Sequence, residues 1–300
     1  MSENAGLSEP RVKAAGSWRD YLVLAKARIV VMILITTAAG YVLGSSSPVD
    51  WMGLVTVLIG TALVAAGTNG FNEYVERNYD KLMVRTRRRP IPDGRISERA
   101  AFLFCSIATV AGVAFLALAN NFLAAGVAFL TFFTYIFIYT PLKRRSTICT
   151  LVGAFPGALP PLIGWAAAAG SLNLQALLVF GVLFLWQLPH FLAIAWIYRE
   201  DYARAGFHMT SVRDAEGLSS GRQAFFYSLA LLSISVLPGL VHLSGMPYLV
   251  GALVAGIALL MASISFAIRR TMRSARQLFL FSNVYLLIMM SVLLIGKATL

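Results

Sequence analysis

The chain has 300 residues, 58% of them hydrophobic and 13% charged, with a mean hydropathy of +0.75. Apolarity spread so evenly excludes an ordinary soluble domain and marks a polytopic membrane protein. Its 25 Lys and Arg against 13 Asp and Glu give a net charge of +12, an excess that in a membrane protein records topology and not nucleic-acid binding. Cys105 and Cys149 lie in or beside apolar segments and form neither a disulfide framework nor a metal-ligand spacing.

The first apolar stretch is long, begins near residue 21 and is followed by no convincing cleavage site, so no cleavable signal is expected. Residues 1–20 lack the Arg/Ser-rich pattern of a transit peptide and read as a flexible cytoplasmic tail. A bacterial plasma (inner) membrane is the expected location. Apolar runs predict nine spans, at about 24–44, 51–76, 99–118, 121–140, 148–169, 173–197, 222–243, 247–268 and 278–296. Basic residues check that count. Those of the tail, including Arg11 and Lys13, fall on one side with those of loops 2–3, 4–5, 6–7 and 8–9, and Lys297 alone falls on the other. The N-terminus is therefore expected in the cytoplasm and the C-terminus across the membrane. Far-side links are short, which favours antiparallel neighbours. The expected fold is all-α: one bundle of nine transmembrane helices, residues 1–300 forming a single intramembrane domain.

The second span ends in Asn72-Glu73-Tyr74-Val75-Glu76-Arg77-Asn78-Tyr79-Asp80, followed by Arg85-Thr86-Arg87-Arg88-Arg89-Pro90. Residues four apart on a helix drift only about 40° per step and share a face. Asn72, Glu76 and Asp80 thus present an amide and two carboxylates together, a donor set for a hard cation such as Mg²⁺. Arginine forks just downstream suit phosphate oxygens, and Arg85 and Arg89 are expected to share a face. Glu73 points about 100° away from Asn72 and reads as an interfacial charge.

Further along, Tyr139-Thr140-Pro141-Leu142-Lys143-Arg144-Arg145 is read either as a positive-inside loop or as a clamp for a second anionic group. Span 5 is crowded with small residues and broken by Pro156, Pro160 and Pro161, either for tight packing at a kink or beside a substrate pocket. In span 6, Gln187 and His190 flank Pro189. They satisfy backbone groups freed at the kink, or His190 lines a pocket and contacts substrate or a cofactor metal. The loop after span 6 places Asp201, Arg204 and His208 at helical spacing, and Asp201 is a fourth candidate metal ligand, completing a site with the first trio or binding a second Mg²⁺. The two long loops, 77–98 and 198–221, are expected to face each other across one pocket.

The segment Asn72–Gly94 with Ile96-Ser97 resembles the first signature of the UbiA-type intramembrane prenyltransferases. Tyr139–Arg144, Gly157–Trp165, Trp186–Phe191 and Asp201–Met209 resemble the branch of that family whose acceptor is protohaem IX. The motifs run in the family's order over about residues 70–210, and nine spans fit. Glu76 stands where many members have Asp, and Cys149 where Asn is expected. The resemblance implies that farnesyl diphosphate is ionised with help from Mg²⁺ held by Asn72, Glu76, Asp80 and Asp201, and from Arg85 and Arg89. A haem vinyl group then attacks the allylic cation and water captures the product. It also implies aromatic support from Tyr139, Tyr198 or Tyr202, propionate contacts from Lys143 or Arg144, His190 facing the haem, and a downstream haem-modifying enzyme or oxidase that uses the product. The competing readings are a prenyltransferase with an aromatic acceptor, a lipid head-group phosphotransferase and a cation transporter. A phosphotransferase needs a denser, glycine-containing Asp repeat. A transporter needs mid-span acids, yet spans 3, 5, 7, 8 and 9 contain no Asp or Glu.

Overall fold

The computed structural model describes residues 16–46 and 48–298. In chain order its helices are α1 (Trp18–Leu24), α2 (Ala27–Gly44), α3 (Trp51–Asp80), α4 (Glu98–Ala119), α5 (Phe122–Phe133), a π-helix (Thr134–Tyr139), α6 (Thr140–Leu142), α7 (Cys149–Ala158), α8 (Pro160–Ala169), α9 (Leu174–Ile197), α10 (Arg199–Arg204), α11 (Thr210–Arg213), α12 (Leu218–Ser235), α13 (Leu237–Leu240), α14 (Met246–Arg269) and α15 (Met272–Ala298). Among the described residues, nine stretches are helical, long and apolar enough to cross a membrane. With only helices spanning, backbone groups at membrane depth are satisfied within each segment. Short polar caps set several helix starts: Asp50, Ser97, Asn121 and Asn173 each accept a hydrogen bond from the first turn of α3, α4, α5 and α9.

Helices neighbouring in sequence pair in space, α3 with α4 and α14 with α15, while α2 packs on α8 across the bundle and α9 meets α7, α12 and α15. At the α2–α8 crossing the backbones touch, because Gly40 faces the Pro161 carbonyl and Gly164 faces the Thr37 carbonyl.

Two local features differ from the sequence expectation. Residues 1–15 of the expected tail lie outside the described residues, along with Arg11 and Lys13. From Ser17 onward, however, the chain is not a tail. Ser17 and Asp20 form a reciprocal capping box on α1, and Asp20 pairs with Arg95. Span 4 ends in a π-helix, an extra-residue turn that periodicity does not reveal. Span 5 is broken as its prolines led one to expect, into two helices that meet at Leu159.

Candidate active site

The long helix α3 carries its last apolar turns directly into the polar trio. Asn72 and Glu76 are buried and Asp80 is fully so, which in this setting requires partners. Each meets a cation from elsewhere. Lys26 Nζ lies 2.8 Å from Asn72 Oδ1, Lys143 Nζ lies 2.7 Å from Glu76 Oε1, and Arg89 Nη1 lies 2.8 Å from Asp80 Oδ2. The Asn72 amide is oriented by its other edge. Thr140 Oγ1 donates to the Tyr135 carbonyl and accepts from Asn72 Nδ2 at 3.3 Å, so the amide oxygen faces Lys26.

Lys26 joins α1 to α2 in the left-handed region, φ +55°, a conformation that costs energy for a residue with a Cβ. Arg89 and Lys143 repel its ammonium, while Glu76 and Glu73 attract it. Burial opposes charge on Lys143, but Glu76, Tyr139 and Tyr135 outweigh it and the ammonium is raised well above its ordinary value. Lys143 Nζ also sits 4.7 Å over the Tyr139 ring.

Glu73 corrects the sequence reading. It is not an interfacial charge but fully buried, and it accepts the Ile91 amide at 3.1 Å. It ties the loop 81–97 back over α3. Asp80 helps through its backbone carbonyl, which accepts from Thr86 Oγ1 at 3.0 Å.

Asp201 is also tied to that loop. Its Oδ1 accepts from the Val84 amide at 3.2 Å and its Oδ2 from the Arg85 amide at 3.3 Å, and Arg204 pairs with Oδ1. Burial pushes this carboxyl up, but Arg204 and the two amides prevail and hold it below the usual range. Asp201 thus clamps one long loop to the other. Asp201→Asn is expected to speed hydrogen exchange at the Val84 and Arg85 amides roughly 10- to 100-fold, since a hydrogen bond to a charged group contributes about 1.5–3 kcal/mol. Unchanged exchange at both amides would show that the clamp is held elsewhere.

Two further expectations are corrected. Arg85 and Arg89 do not share a face, because the loop is a series of turns and not a helix. Arg89 reaches Asp80, while Arg85 stacks 4.9 Å over Tyr198. His208 does not continue the spacing of Asp201 and Arg204. Helix α10 stops at Arg204, Gly206 turns at φ +68°, and the His208 amide donates to the Lys143 carbonyl at 2.7 Å. Arg144 leans 4.4 Å over Tyr79, beside Arg145 on an open vestibule next to Glu76.

Within the spans lies a cavity of about 300 Å³, lined by Tyr135, Tyr139, Gln187 and His190, and by Pro156, Gly157 and Pro160 at the break between α7 and α8. The prolines therefore serve both readings of span 5, a close helix crossing and a cavity wall. The π-helix turns Tyr135 and Tyr139 toward this space with ring centroids 5.1 Å apart. Tyr198 and Tyr202 do not line it. Gln187 donates to the Leu183 and Ala154 carbonyls. His190 binds Ser282 Oγ on α15 and not a backbone group at the kink. Lys26, Glu73 and Tyr135 escaped the sequence reading. Only Tyr135, four residues before Tyr139, carried a signal in spacing.

Among the described residues, no three His, Cys, Asp or Glu side chains converge tightly enough to hold a metal. The trio nonetheless fits a hard cation. All three donors are oxygens, all three already attract positive charge, and Asp80 Oδ1 is buried with no hydrogen-bond partner.

Cationic groups and acidic oxygens thus cluster at the end of α3, next to Tyr139, which lies under Lys143 and also lines the apolar cavity. The sequence profile of the UbiA prenyltransferase family matches residues 33–285, and the chain belongs to that family. It is 42% identical over 288 residues to the Protoheme IX farnesyltransferase of Solibacter usitatus (strain Ellin6076), covering 93% of this chain and 99% of that protein. Its fold is similar to that of a digeranylgeranylglyceryl phosphate synthase (TM-score 0.79, 19% identity, 94% of this chain and 99% of the other). It is also similar to a UbiA homologue from Archaeoglobus fulgidus bound to GPP and Mg²⁺ (TM-score 0.68, 16% identity, 91% and 99%). The protein is an integral membrane prenyltransferase.

Proposed function

We propose that the protein transfers a farnesyl group from farnesyl diphosphate to a vinyl group of protohaem IX. The observation that carries this reading is the placement of Asn72, Glu76 and Asp80, each paired with a cation, beside the apolar cavity under Tyr135 and Tyr139. Similarity to the Solibacter relative supports the choice of donor and acceptor.

Asn72, Glu76 and Asp80 would hold Mg²⁺, and Asp201 anchors the loop that covers them. Mg²⁺ supplies positive charge against the diphosphate oxygens. Lys26, Lys143 and Arg89 are already poised at these oxygens and turn to the diphosphate when it binds. As the allylic C–O bond breaks, its electron pair leaves with the diphosphate, and the three cations stabilise that growing charge most at the transition state. Tyr135 and Tyr139 line the space where the allylic cation forms, and their ring faces favour positive charge. The vinyl π electrons attack the terminal allylic carbon. Water adds to the resulting cation and loses a proton, which gives a hydroxyethylfarnesyl haem, diphosphate and H⁺. Arg144 and Arg145, open to the vestibule, suit the haem propionates. Lys143 does not, because Glu76 holds it inside. The excess of basic residues in these loops supports a cytoplasmic location for this side, in a bacterial plasma membrane, and an oxidase or haem-modifying enzyme would consume the product.

Purified protein incubated with farnesyl diphosphate, haem and Mg²⁺ should yield a product of the corresponding added mass. Recovery of unchanged haem alongside a prenylated aromatic acid would favour the aromatic-acceptor reading.

Arg89→Lys is expected to weaken farnesyl diphosphate binding more than Arg88→Lys. Arg89 is the fork at Asp80, whereas Arg88 is exposed and offers only its carbonyl, to Arg95. Titration calorimetry with both variants checks this. Equal losses would mean that only bulk positive charge matters.

A further inference from the structure

His190 is more constrained than a pocket-lining residue needs to be. Its ring stacks on Trp186 and on Phe279, at centroid distances of 5.0 Å each. Trp186 is fixed in turn, because its indole N–H donates to the Ser282 carbonyl at 2.6 Å. His190 Nδ1 lies 2.9 Å from Ser282 Oγ. That hydroxyl has one proton, which we assign to the Phe279 carbonyl, an acceptor only, 2.7 Å away. Ser282 Oγ therefore accepts from His190, so Nδ1 carries the ring proton and Nε2 keeps a bare lone pair. Nε2 has no hydrogen-bond partner among the described residues, and His190 lines the cavity.

An imidazole held by neighbouring rings in a cavity wall, with one nitrogen pinned as a donor and the other without a protein partner, is the arrangement of a metal-ligating histidine and its outer-shell partner. The backbone at the Pro189 kink does not use it. We propose that His190 Nε2 binds the iron of the haem substrate as an axial ligand, and that Ser282 is the positioning residue that fixes its tautomer. This rests on the reading of haem as acceptor. Ligation would hold the flat macrocycle at one depth and rotation in the cavity, so that a vinyl edge meets the farnesyl carbon.

The test uses the full-length protein in detergent with ferric haem, read by absorption and electron paramagnetic resonance. Farnesyl transfer is measured on the same preparation. The wild type should show a histidine-ligated spectrum. His190→Ala should lose it and bind haem at least about tenfold more weakly, and added imidazole should restore it. His190→Met should give a different, sulfur-ligated spectrum. Ser282→Ala should weaken haem binding by about 10-fold or more, as loss of an outer-shell partner does, and leave diphosphate binding unchanged. The chain has only two other histidines, His208 and His242, and replacing both should change nothing. An unaltered spectrum in His190→Met, with haem still farnesylated, overturns the ligand assignment alone. A His190-dependent spectrum without farnesyl transfer keeps the assignment and overturns the acceptor reading.

Discussion

Asp80→Asn is expected to lower turnover roughly 10²- to 10³-fold, the loss seen when one preorganised electrostatic group is removed from a reacting site, while the protein still inserts and folds. The substitution keeps the volume and one acceptor oxygen but removes the charge that Arg89 meets at 2.8 Å. Some stability is lost, because Arg89 no longer meets a full charge, but two features keep the local fold. The Asp80 oxygen that would ligate metal, Oδ1, has no protein partner, and the loop turn is held through the Asp80 backbone carbonyl and Thr86. Glu76→Gln probes the same face through Lys143. Turnover and melting temperature measured on both variants separate catalysis from folding. Metal-dependent turnover surviving in both would sink the assignment of the trio.

The fold was legible because each span is a long apolar window between basic loops, and the bilayer demands helices there. The trio was legible because a single helix fixes relative directions along one sequence stretch. Its cations were not. Lys26 lies 46 residues from Asn72, and Lys143 lies 67 from Glu76, and only the packing of α1, α3 and α6 brings them together. Glu73 was misread for a related reason. Periodicity shows that it turns away from Asn72, but not that the 81–97 loop folds back over that face and supplies the Ile91 amide. His208 was misjudged despite a visible signal, since Gly206 sits where a helix ends in the left-handed conformation. The π-helix left no trace in composition, although Tyr135 and Tyr139 were in plain view. Sequence left His190 between two roles, and the hydroxyl of Ser282, 92 residues away, bears on that choice.

Gly164→Ala is expected to destabilise the protein, while Gly126→Ala stabilises it. Alanine is preferred over glycine inside a helix by about 1 kcal/mol, and at Gly126 nothing lies within 4 Å of an added Cβ, so that preference should appear undiminished. At Gly164 the added carbon falls on the Thr37 carbonyl, and at the facing Gly40 it would fall on the Pro161 carbonyl. Both obstacles are backbone, so no side-chain rotation relieves them and α2 must move away from α8. Overpacking of this kind costs about 1–3 kcal/mol, enough to outweigh the propensity gain. The loss should also reach the site. Ile29 and Ile33 on α2, and Pro160 and Ile163 on α8, line the cavity, and Lys26 leads into α2. Gly164→Ala should therefore lower the melting temperature and reduce turnover of the protein that remains folded, whereas Gly126→Ala should raise the first and spare the second. Matching shifts at the two positions would mean that α2 and α8 part without strain, and the close crossing would no longer explain why span 5 is so rich in small residues.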